Sequence, residues 1–126
     1  MKNVCVIADD LIWASRLCAA VERAGARPVR ATGPAGAPTS ADAFVVDLNG
    51  RTYDGVAEVA RAAASGRPTI AVGQHEDLAL RKLALAAGAR RVFSYNKMHT
   101  DGPNVIRALL EAASNAPVEA PVEAPA

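Results

Sequence analysis

The chain has 126 residues, 14 basic against 13 acidic, and a formal net charge of +1. That length suggests one domain with a single core. The balanced charge excludes the basic block of a nucleic-acid footprint, and five aromatics (Trp13, Phe44, Tyr53, Phe93, Tyr95) are too few for a base-stacking platform.

Residues 4–8 form a short, continuously apolar run, the pattern of a strand buried on both faces. Residues 11–24 repeat Trp13, Leu17, Val21 and Ala24 at helical spacing, and Gly25 stops the helix. Residues 27–32 read as a weaker second strand. The Gly/Pro cluster at 33–38 cannot be helical and predicts a loop. Residues 43–47 predict the third strand, and 49–54 a loop.

A helix follows over 55–65, with Val56, Val59, Ala60 and Ala63 as its apolar stripe and Gly66 as its stop. Pro68 opens a fourth strand over 69–72. The leucines at 78, 80, 83 and 85 predict a helix over 76–87, ended by Gly88. A fifth strand is expected over 91–95, and a last helix from Gly102 or Pro103 that buries Val105, Ile106, Leu109, Leu110 and Ala113. Alternating strands and helices argue for a parallel sheet with right-handed crossovers.

The folded part is expected to span 1–114. Residues 115–126 close on the repeated unit Ala-Pro-Val-Glu, whose prolines forbid a helix and favour polyproline II. The tail reads as solvated and flexible, with a spacer or a docking segment as the functional alternative. No apolar run reaches the length of a membrane span, and the start lacks the pattern of a signal peptide. The expected setting is cytoplasmic, away from membranes and nucleic acid. Cys5 and Cys18 form no C-x-x-C or metal pattern and read as buried thiols.

Asp9 and Asp10 end the first strand and Asp47 ends the third. In open α/β sheets ligands bind outside the carboxyl ends of strands. Three carboxylates meeting there would shift in pKa or recruit a cation such as Mg²⁺. Asp10 could instead cap the first helix. His75 reads as a surface residue at a helix start. Trp13 reads as half-buried packing near the acidic pair. Arg81-Lys82 and Arg90-Arg91 read as a solvated face.

This pattern resembles the receiver domain of bacterial two-component response regulators. The resemblance rests on Asp9-Asp10, Asp47, Asp54-Gly55 and the stretch Ala86-Ala87-Gly88-Ala89, in order and at near-matching spacings. It implies a flavodoxin-like five-stranded parallel sheet of order 2-1-3-4-5, with helices on both faces and the second helix shortened or missing. It also implies Asp47 as phospho-acceptor, and Mg²⁺ on Asp10, Asp47 and the carbonyl of Asn49, with Asp9 holding a bound water.

The departures are as informative. Gly73 stands where the family has a hydroxyl-bearing Ser or Thr. Tyr95 stands where it has a lysine; Lys97 comes two residues late and is followed by Met98. Arg51 replaces the proline of the loop after the third strand. These changes resemble an atypical, or pseudo-receiver, domain. Without that lysine and hydroxyl, phosphorylation would couple poorly to movement, because a ligand shifts an equilibrium only through differential contacts.

Other classes fit less well. Ala8-Asp9-Asp10-Leu11-Ile12-Trp13 has no glycine fingerprint for a dinucleotide. Asp47-Leu48-Asn49 supplies only the first half of the Asp-x-Asp expected of a Mg²⁺-dependent phosphatase. The expectation is a non-enzymatic, stand-alone atypical receiver domain that signals by binding a protein, a kinase or a downstream target. The alternative is a phosphorylatable single-domain regulator with Asp47 as acceptor, Mg²⁺ at Asp9/Asp10 and Lys97 displaced but functional. A homodimer would use the last helix and fifth strand, through an apolar patch of Tyr95, Val105 and Leu109.

Overall fold

The computed structural model describes residues 1–32 and 40–115. The cluster expected as a loop at 33–38 and the repeat tail lie outside these described residues. Five strands carry the sheet: β1 (Asn3–Ile7), β2 (Arg27–Ala31), β3 (Ala43–Asp47), β4 (Thr69–Gly73) and β5 (Arg91–Ser94). All pair in parallel, in the order β2-β1-β3-β4-β5. The predicted topology is therefore the observed one.

Alternating strand residues feed two cores, as the pleat requires. Val4, Val6, Val45 and Val72 face one side, where α1 (Leu11–Arg23) and α4 (Tyr95–Asn115) pack with Leu17, Val21, Ile106 and Leu109. Cys5, Ile7, Phe44 and Val46 face the other, against α2 (Gly55–Ala63) and α3 (Leu78–Ala87). Strands β3 and β4 are buried along their whole length, which explains their unbroken apolar sequence.

Three helices start on an aspartate. Asp10, Asp54 and Asp77 accept the backbone N–H of Trp13 (2.9 Å), Ala57 (3.1 Å) and Leu80 (3.0 Å). Each such cap stabilises its helix by about 1 kcal/mol. Gly88 ends α3 at a φ of 122°, and a Cβ there would lie 2.5 Å from that of Ala63. The glycine thus lets the ends of α2 and α3 approach.

Two helical faces differ from expectation. In α2 the buried residues are Gly55, Glu58, Val59 and Ala62, so the inward stripe is displaced from Val56, Ala60 and Ala63. Glu58 is buried because the Arg61 guanidinium pairs with it one turn on. In α3 only Ala84 is buried, while Leu78, Leu83 and Leu85 are exposed.

The last helix also starts earlier than expected. Ser94 accepts the backbone N–H of Lys97 at 3.1 Å, the geometry of an N-terminal cap, and Tyr95 is helical rather than part of β5. The helix kinks at Asp101 (φ −140°, ψ 22°), just before Gly102 and Pro103. The expected start at 102–103 is the start of its second segment, where proline costs no helical hydrogen bond. Among the described residues, no helix is long and apolar enough to cross a membrane.

Candidate functional site

Asp47 ends β3 beneath the surface, with only 2% of its area exposed. Its Oδ1 accepts two hydrogen bonds. One comes from the backbone N–H of Asn49 at 3.1 Å, and the other from the Tyr95 hydroxyl. The Asn49 side-chain amide donates in turn to the Tyr95 oxygen at 3.0 Å. Asp47, Asn49 and Tyr95 therefore close a small hydrogen-bonded ring that joins β3, the following loop and the start of α4.

Burial pushes the Asp47 carboxyl above the usual carboxylate range. The bonds from Tyr95 and Asn49 oppose that rise, while repulsion from Asp10 and Asp9 adds to it. Burial and the bond to Asp47 push the Tyr95 phenol up as well. It is thus a lasting neutral donor at physiological pH. The Tyr95 ring lies 4.6 Å from that of Trp13, tilted by 40°. The half-buried Trp13 is accordingly a direct neighbour of the residue that caps Asp47, as its expected place near the acidic pair requires.

Asp9 serves the loop after β3. Its Oδ2 accepts from the backbone N–H of Arg51 (2.9 Å) and Thr52 (2.7 Å) and from the Thr52 hydroxyl (2.7 Å). These bonds, the Thr52 hydroxyl first, hold Asp9 below the usual carboxylate range. A proline at position 51 would have no N–H to offer. The departure at Arg51 thus supplies one of the three donors. Asp10 caps α1 through Oδ1.

Asp9, Asp10, Asn49, Arg51 and Thr52 line a cleft of about 320 Å³. The three carboxylates suit a hard cation in kind, and Asp9 Oδ1, Asp10 Oδ2 and Asp47 Oδ2 carry no hydrogen bond among the described residues. Among the described residues, no three His, Cys, Asp or Glu side chains gather as a metal-holding group.

Below the site, the Tyr53 hydroxyl lies 2.7 Å from the Asp47 carbonyl and 3.1 Å from that of Ile7. It clasps the ends of β3 and β1 together. A Cβ on Gly50 would come within 2.1 Å of the Tyr53 ring, so the loop passes over this residue only as glycine. Gly73, at the end of β4, has the side chain of Leu48 against it. A Cβ there would meet Leu48 Cδ1 at 3.3 Å.

Lys97 points elsewhere. Its ammonium pairs with Asp101 at 2.9 Å, and in this arrangement it does not take the place of the lysine missing at position 95. The apolar patch expected from Tyr95, Val105 and Leu109 is not an exposed patch either. Val105 and Leu109 are buried, and Tyr95 turns its hydroxyl to Asp47. His75, Arg81, Lys82, Arg90 and Arg91 are exposed, as expected. Thr52 and Tyr53 were not expected to contribute.

No protein-family model matches the sequence, and no curated protein sequence is significantly similar to it. Solved structures are similar in shape. The structure of NtrX from Brucella abortus in complex with ADP has a TM-score of 0.79 at 14% identity, over 90% of this chain and 28% of that one. A CheY-like response regulator receiver domain protein from Methanospirillum hungatei JF-1 has a TM-score of 0.77 at 16% identity, over 90% and 97% of the two chains. A response regulator from Burkholderia pseudomallei, with a phosphorylated aspartic acid, calcium ion and citrate, has a TM-score of 0.71 at 22% identity, over 99% and 76%.

The chain has the receiver fold. In this receiver-like domain the strand-end aspartates occupy the places the sequence assigned them, but each is bonded to the protein itself. The present chain spans little more than a quarter of the NtrX chain and nearly all of the Methanospirillum one.

Proposed function

We propose that this chain is an atypical receiver domain that signals by binding another protein, without conventional switching by phosphate. The observation that carries this reading is the Tyr95 hydroxyl on the Asp47 carboxylate. Phosphoryl transfer to a carboxylate needs an in-line nucleophilic oxygen and positive charge around the incoming phosphoryl oxygens. Tyr95 occupies one Asp47 oxygen and brings no charge. Gly73 brings no hydroxyl, and Leu48 already fills the space beside it. The reading makes the chain a non-enzymatic partner of a kinase or of a downstream target, in the cytoplasm.

A second reading is a phosphorylatable receiver with Asp47 as acceptor and Mg²⁺ held by Asp9, Asp10, Asp47 and the Asn49 carbonyl. The observation in its favour is the repulsion that Asp9 and Asp10 exert on Asp47, which a divalent cation would relieve. It would use Asp47 Oδ2, which carries no hydrogen bond among the described residues, while Tyr95 stays on Oδ1.

Incubating the chain with a small acyl phosphate and Mg²⁺, followed by intact-mass measurement, separates the two. The first reading expects no added phosphoryl mass in the wild type. A mass gain that disappears in Asp47→Asn would establish the second. Steady release of phosphate from a model ester would instead make the chain a phosphatase and overturn both.

A further inference from the structure

All five strands run in parallel and each described helix follows a strand, so the carboxyl end of the sheet gathers the first turns of the helices. This end carries two clefts of opposite charge. One, of about 320 Å³, is the acidic cleft of Asp9 and Asp10 after β1. The other, of about 250 Å³, opens beside β4 and β5. It is lined by His75, Arg81, Arg91 and Lys97, with no acidic side chain in its walls. Lys97 pairs with Asp101, whereas among the described residues Arg81 and Arg91 have no carboxylate partner. Both guanidinium groups are nonetheless held in place. Arg81 donates to the Val92 carbonyl at 3.3 Å, and Arg91 lies over the Phe93 ring, 5.2 Å from its centroid.

An exposed aliphatic margin accompanies each cleft. Leu11 and Ile12 open α1 directly after Asp10 and are 73% and 61% exposed. Leu78 opens α3, three residues before Arg81, and is 64% exposed. The first cleft therefore suits a basic surface with an apolar margin, and the second an acidic one with the same margin. The chain itself carries both. Two complementary patches on a common face are exchanged by a twofold axis that bisects the line between them, so that each meets its complement twice. Strands β1 and β5 stand three places apart in the sheet, or about 14 Å at the usual strand spacing. Both contacts thus fit within one interface of ordinary size.

We propose that the chain forms a twofold dimer through the carboxyl end of its sheet. The acidic cleft and Leu11/Ile12 of one protomer lie against the basic cleft and Leu78 of its partner, and the reverse pairing lies alongside. The minority charges obey the same exchange: Arg51 lines the acidic cleft, while Glu76 and Asp77 follow His75 beside the basic one. The cation that faces Asp9 and Asp10 then comes from a second copy of the chain. This association is a property separate from phosphate acceptance at Asp47, and it is read as the mass of the assembly.

The test is sedimentation equilibrium of the full chain over a concentration series reaching about 1 mM. It is run at about 0.01 M and about 1 M salt, where the Debye length is roughly 30 Å and 3 Å. The wild type is expected to dimerise at low salt and to weaken at least about tenfold at high salt. R81E/R91E makes the second cleft acidic, and L11K/I12K adds positive charge at the margin of the first. Each should weaken self-association about 100-fold, because every substitution counts twice in a twofold interface. All four side chains are exposed, and an unchanged far-UV circular dichroism spectrum verifies that the variants are folded. Mixed in equal amounts, the two variants should associate as a heterodimer, with one half of the interface native and the other half charge-exchanged. A wild type that stays monomeric throughout at low salt, or a dimer that both folded variants leave intact, would overturn the proposal. So would two folded variants that remain monomeric when mixed.

Discussion

The hydroxyl of Tyr95 donates to the carboxylate of Asp47, 48 residues earlier in the chain. Both groups are withdrawn from solvent, and burial raises the pKa of both. A hydrogen bond to a charged group contributes about 1.5–3 kcal/mol, roughly twice a neutral one. Tyr95→Phe removes this donor and keeps the ring beside Trp13. The expected result is a loss of about 1–3 kcal/mol in urea unfolding and a further rise in the Asp47 pKa. An unchanged urea midpoint would show that the bond contributes nothing to stability.

Asp47 carries a cost with a definite pH dependence. Its folded pKa lies above the unfolded value of 3.8, chiefly because of burial. Between those two values the folded state binds more protons than the unfolded one, so stability falls as pH rises through that window. Asp47→Asn removes the titration and keeps an oxygen to accept from Tyr95. At pH 7 the variant should melt above the wild type, with the difference shrinking as the pH approaches 4. A variant that melts lower at pH 7 would contradict the account.

Gly50 has no room for a side chain, because its Cβ would overlap the Tyr53 ring. Gly50→Ala must displace that ring and break the clasp on the Asp47 and Ile7 carbonyls. Overpacking of this kind costs about 1–3 kcal/mol. Tyr53→Phe should cost less, since it removes only the hydroxyl. Calorimetry of the two variants checks the order, and equal losses would show that the steric overlap is not what Gly50 avoids.

The centre of the sheet was legible because β1, β3 and β4 are buried on both faces and therefore read as apolar runs, whereas the edge strand β2, largely exposed, gave a weaker signal. The helix stops at Gly25, Gly66 and Gly88 were legible for a similar reason, since all three adopt positive φ. The site was legible only in its aspartates. Tyr95 follows Val92-Phe93-Ser94 and looks like one more strand residue; the signal against that was Ser94, a preferred capping residue that places Tyr95 in the first turn of a helix. The inward face of α2 was misplaced because hydrophobicity alone cannot foresee a glutamate buried by its own Arg61. The three donors to Asp9 come from a loop more than 40 residues away, and no local pattern announces them.

Helix α3 is moored to the rest of the domain more shallowly than its composition suggests. Only Ala84 is fully buried, with Leu80 partly so, while three leucines face outward. Lifting such a helix exposes little additional apolar surface. Local opening costs least where buried apolar contacts are few. The energetic hierarchy of the domain thus puts α3 among its first elements to detach, and gives the molecule a source of motion that needs no phosphoryl group to set it going.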